Sequence, residues 1–141
     1  MSYRDALQTA LAAEHAAVWV LGYLGAQTSA SAEPTLYGLL QEAYSVHRDR
    51  RDLLEALVRD DGGDPVAAAP AYDVTDVDAA ADPVRAVRSR ALRLERDCGA
   101  AYGFVVANAP GERRGAALEA LLDSALRELA FGGSPRRYPG R

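Results

Sequence analysis

The stretch Gly62-Gly63-Asp64-Pro65-Val66-Ala67-Ala68-Ala69-Pro70-Ala71-Tyr72-Asp73-Val74-Thr75-Asp76-Val77-Asp78-Ala79-Ala80-Ala81-Asp82-Pro83 decides the architecture. Its glycine pair stops the helix before it. Asp82 and Pro83 have the residue types of an N-cap and a first helical position, so a new helix begins there. Between them, residues 64–81 show no helical periodicity and include Pro65 and Pro70. A connection this long is unusual inside a compact domain. It fits a chain that must travel the full length of a helical bundle to start a helix parallel to its predecessor.

Helical periodicity runs outward on both sides. The first helix spans about Tyr3 to Gln27, with Ser2 and Asp5 in capping-box position, and its stripe is Leu7, Leu11, Glu14, Val18, Leu21 and Gly25. After Thr28-Ser29-Ala30-Ser31, the second spans about Pro34 to Asp61, with stripe Leu36, Leu40, Tyr44, His47, Arg51, Leu54 and Val58. The third runs from Pro83 to about Ala107 on Val84, Val87, Ala91, Glu95, Cys98, Tyr102 and Val105. Asn108-Ala109-Pro110-Gly111 turns the chain into the fourth, which ends near Phe131 with stripe Leu118, Leu122, Ala125, Leu126 and Leu129. Two short helical hairpins joined by one long crossover predict an all-α, antiparallel four-helix bundle over residues 1–131. Residues 132–141, rich in Gly, Pro and Arg, have the composition of a flexible basic tail.

Composition narrows the function. The chain has 141 residues, enough for one domain with a sizeable core. All 16 basic residues are arginine and the net charge is −4, which argues against a general nucleic-acid-binding surface. The arginines Arg85, Arg88, Arg90, Arg93 and Arg96 are spread around the third helix without interleaved aromatics, so they read as a solvated face. The single Cys98 excludes an internal disulfide. The longest apolar run, Ala16 to Ala26, is too short to span a bilayer, and no leader pattern opens the sequence. The expectation is a cytoplasmic protein with no membrane or nucleic-acid partner. No phosphate-cradling glycine loop, nucleophile elbow or Cys–His catalytic pairing is present.

The informative residues are charged groups on core stripes. Glu14 points within about 20° of Leu7 and Gly25. His47 and Arg51 sit one turn apart in the middle of the second stripe, and Glu95 lies between Ala91 and Cys98. Each is about midway along its helix, so an antiparallel bundle brings them to one level. Charges in a core must be paired or bind a metal. The predicted cluster is Glu14, Tyr44, His47, Arg51, Glu95 and Tyr102, with Arg51 forking onto the carboxylates. His15 lies about 80° off the first stripe and reads as a flank residue.

This pattern resembles the ferritin-like di-iron carboxylate family, and more closely its actinobacterial branch of unknown function. The residues that carry the resemblance are Ala13-Glu14-His15-Ala16-Ala17, His47-Arg48-Asp49-Arg50-Arg51-Asp52, Leu94-Glu95 and Ala100-Ala101-Tyr102. The resemblance implies a Glu from each of two helices and Glu-x-x-His from the other two. Here Glu14, His47, Glu95 and Glu119 match, while Tyr44 stands for one Glu and Leu122 for one His. It therefore implies a degenerate di-iron site in a non-catalytic protein whose Glu/His/Arg cluster is structural. The alternative is a protein holding iron or another divalent metal at Glu14, His47 and Glu95, helped by Glu119. A third class is a small-molecule binder using Tyr44, Tyr102 and Trp19.

The first helix is apolar all round from Ala16 to Ala26, so Trp19, Val20 and Tyr23 on its outer face need a cover. Either the 64–81 connection or a second copy in a homodimer would supply it.

Overall fold

The structure is a computed structural model covering residues 1–141, and it is all-helical. Helix α1 spans Tyr3–Ala26 and α2 spans Pro34–Asp60. A single turn, α3, spans Thr75–Asp78 inside the long connection. Helix α4 spans Pro83–Asn108, and a 3-10 turn at Gly111–Arg113 leads into α5, Arg114–Ala130.

Local chemistry sets these boundaries. The Ser2 hydroxyl accepts from the Asp5 amide while the Asp5 carboxylate accepts from the Ser2 amide, a reciprocal capping box. Asp82 caps α4 through the Arg85 amide, and Pro83 occupies its first turn. Gly62 ends α2 at φ +80, a conformation that costs glycine little.

Helices α1 and α2 form one hairpin, with Arg4 near the start of α1 reaching Asp61 just beyond α2. Helices α4 and α5 form the other, and α1 packs against α4. The core lies in two apolar layers, one around Leu7, Leu11, Val58 and Val105, the other around Leu21, Leu24, Leu40 and Val87. Glu14, His47 and Glu95, all fully buried, occupy the level between them. The backbones of α2 and α5 stay apart, and Arg50 and Arg127 bridge the gap to Asp123 and Glu42.

One face resolves a choice that the sequence leaves open, and others differ from the sequence reading. The connection is a strap across α1: Tyr72 packs on Trp19, Val77 is buried, and the Tyr23 hydroxyl donates to Asp78. Arg90 and Arg93 fix the strap through Asp76, so these two arginines are anchors rather than a solvated face. The chain's own residues thus lie over Trp19 and Tyr23, the first of the two covers that the sequence leaves open, and nothing in the structure supports a homodimer through Trp19, Val20 and Tyr23. The second difference is the rotation of α5. It buries Ala117, Ala120, Leu121, Ser124 and Glu128, while Leu118, Leu122, Leu126 and Leu129 are 46, 50, 65 and 41% exposed. Close approach to α4 explains this, because small residues meet there, with Ser124 beside Gly99. Glu128 is buried by pairing with Arg96 and Arg136. Beyond α5, Arg136 reaches back to Glu128, and Gly140 lies against Gly103 and Leu121.

Candidate functional site

The site is built by three helices at mid-height. Glu14 comes from α1, His47 from α2, and Glu95, Cys98 and Tyr102 from α4. The spacing 95, 98, 102 places the last three on one side of α4. His47 bridges the carboxylates: Nδ1 lies 2.6 Å from Glu14 Oε2 and Nε2 lies 3.0 Å from Glu95 Oε1. The Tyr102 hydroxyl donates to Glu14 Oε1 at 2.6 Å. The Cys98 thiol faces the Ala13 carbonyl at 4.0 Å. Glu95 Oε2 is buried with no hydrogen-bond partner.

This geometry fits one charge state of the ring best. A neutral imidazole donates from one nitrogen only and would aim the lone pair of the other at a carboxylate. An imidazolium donates from both. Burial disfavours the charged ring, but Cys98, Glu14 and Glu95 outweigh it and hold the His47 pKa well above its ordinary value. Burial and the Glu14 charge push the Cys98 thiol up to about 12, so it stays protonated. Burial and the same carboxylate raise Tyr102 well above the usual phenol range. The Tyr102 ring in turn packs beneath the Arg50 guanidinium, 5.7 Å from its centroid.

Of the residues expected at this site, Glu14, His47, Glu95 and Tyr102 meet. Arg51 does not join them. It turns to the rim and forks onto Asp52, since an arginine there can satisfy its donors without leaving water. The cationic group within hydrogen-bond reach of both carboxylates is the His47 ring. Tyr44 also lies outside the cluster, packed on Gly22 with Arg48 over its ring. Glu119 is exposed on α5, and Leu122 faces outward. His15 is buried rather than flanking, with Nε2 2.9 Å from the Val66 carbonyl of the strap. Cys98 belongs to the site, although the sequence presents it only as one member of the third helical stripe. Its position between Glu95 and Tyr102 on the same stripe was the available signal.

A family model described as Domain of unknown function (DUF4439) matches residues 6–141. The chain belongs to this family. The DUF4439 fold seen here has a solved counterpart, the crystal structure of a conserved hypothetical protein from Mycobacterium tuberculosis. The two share 28% sequence identity at a TM-score of 0.80, over 92% of this chain and 93% of that one. No curated protein matches the DUF4439 chain. No helix in it is long and apolar enough to cross a membrane.

Within this DUF4439 chain the donor atoms of Glu14, His47 and Cys98 lie within 4.8 Å of one another, a grouping that could hold a metal ion. The cluster can therefore do one of two things. It can remain a closed ion network, or it can exchange the His47 bridging proton for a cation.

Proposed function

We propose that this protein is a non-catalytic, ferritin-like antiparallel four-helix bundle in which the His47 imidazolium takes the place of a metal. The carrying observation is that both ring nitrogens of His47 are within hydrogen-bond reach of carboxylates from two different helices. A metal ligand must present a bare nitrogen, and neither is free. A dinuclear centre does not fit the residues present. Tyr44 and Leu122 stand where two ligands are needed, and Glu119 and Leu122 point away from the cluster. Too few donors remain to hold two ions.

The cluster's role in this reading is structural. It ties α1, α2 and α4 at one height, and polar groups of this kind set the register of packed helices. The protein then works by association. The exposed leucines of α5 support this, since Leu118, Leu122, Ala125 and Leu129 follow the alternating four- and three-residue spacing of a helix–helix seam. A second copy using the same ridge would form an isologous pair.

Elemental analysis of native protein tests the reading, alongside His47→Ala and Glu14→Ala. Absence of stoichiometric metal in all three supports it. About one equivalent of metal in the native chain, lost in both variants, overturns it in favour of a mononuclear site at Glu14, His47 and Cys98. The orphaned Glu95 Oε2 and the nearby Cys98 sulfur are the observations that favour that second reading. One nitrogen, one sulfur and carboxylate oxygens suit a borderline divalent ion.

A further inference from the structure

Helices α2 and α5 leave a gap between them. It holds a cavity of about 330 Å³, within the range of small-molecule sites. Leu53, Leu54 and Leu57 line one wall and Ala116, Ala117 and Ala120 the other. The small residues on α5 leave the space, and Leu53 remains 49% exposed within it. The cavity runs along α2 from Val46 to Leu57, roughly 16 Å at the helical rise. Its inner end is polar, with Arg50 and Asp123 paired above the Tyr102 ring. Its outer end carries Tyr3 and Arg113.

Arg113 lies over the Tyr3 ring, 5.5 Å from its centroid, and makes a single side-chain hydrogen bond, at 3.4 Å to Asp61. Most of its guanidinium donors are unused. No side chain caps α5, which starts beside it. An elongated apolar slot with an under-used cation at one end matches one chemical class, a chain of hydrocarbon bearing a carboxylate.

We propose that the α2–α5 cavity binds a medium-chain fatty acid, with its hydrocarbon along Leu53, Leu57, Ala116 and Ala120 and its carboxylate on Arg113. This site meets the His47 cluster only at the Tyr102 ring and does not depend on that cluster's metal content, so the two readings fail independently. The test uses the full chain and sodium decanoate, read by displacement of anilinonaphthalene sulfonate, with methyl decanoate as the uncharged control. Three variants accompany it: Ala116→Trp, which fills the slot from an exposed position, Arg113→Gln, and Leu126→Ser on the outward ridge.

Saturable one-to-one binding of decanoate is expected. Arg113→Gln should weaken decanoate about tenfold, the worth of a charge-assisted hydrogen bond, and leave methyl decanoate unchanged. Ala116→Trp should abolish binding of both, and Leu126→Ser should change neither. Amide shifts on decanoate addition should be confined to residues near Leu53, Leu57, Ala116 and Ala120. Non-saturable binding, unchanged affinity in Ala116→Trp, or amide shifts centred elsewhere would overturn the proposal. So would a halved sedimentation mass for Ala116→Trp alone, because the groove would then belong to a second copy.

Discussion

His47 sits between two carboxylates and gains a proton's worth of stability from them. Replacing it by Leu leaves Glu14 and Glu95 buried without a cation, which costs about 3–5 kcal/mol in urea unfolding. The pH dependence has a definite sign. The folded His47 pKa is held well above the ordinary histidine value of 6.5, so the native state binds the proton more tightly than the unfolded chain. Its contribution is fully present below pH 6.5 and is lost as pH rises through the folded pKa. Cys98, moved from 9.0 to about 12, also erodes stability with rising pH, but only above 9.0. Between those limits the urea midpoint of the native chain should fall with pH, and that of His47→Gln should fall much less. A flat native profile over that window would count against the imidazolium. The partners of His47 were legible from stripe position alone, because Glu14 and Glu95 each lie at the centre of an apolar face. The exclusion of Arg51 was not, because a long flexible side chain near a core edge can leave the stripe its Cα belongs to.

At the level of elements, α5 carries the main disagreement between pattern and structure. Its leucines form the more hydrophobic face, yet the chain buries the alanine and serine face against Gly99 of α4. Periodicity finds an apolar stripe but does not say whether the molecule or a neighbour covers it. The assignment has a direct consequence. Leu122→Ser should shift monomer stability by no more than about 0.5 kcal/mol, as an exposed site does. Leu7→Ala, in a fully buried position, should cost about 2–5 kcal/mol. Comparable losses at both sites would mean that α5 is rotated. The turn after α5 offers a sharper check. A Cβ on Gly133 would lie 2.8 Å from both the Glu128 carbonyl oxygen and a Leu92 methyl, so Gly133→Ala should lower the melting temperature measurably.

Across the whole molecule, the long connection made the fold legible. Its length and prolines imply a crossing from one end to the other, and the structure lays it over Trp19 and Tyr23 as a strap. The sequence left open whether the strap or a second copy covers this face, because both satisfy an apolar surface equally well. If the strap is held chiefly by Tyr72, Tyr72→Ala should speed amide hydrogen exchange across residues 66–78 while leaving α5 protected. Equal loosening of both regions would show that the strap is not a separate unit. The central claim concerns the point where α1, α2 and α4 meet. Long-range ¹⁵N–¹H correlation of the His47 ring at neutral pH measures it directly. The account predicts that Nδ1 and Nε2 both carry protons, with closely similar imidazolium nitrogen shifts. One nitrogen resonating as a bare or metal-bound acceptor would contradict it.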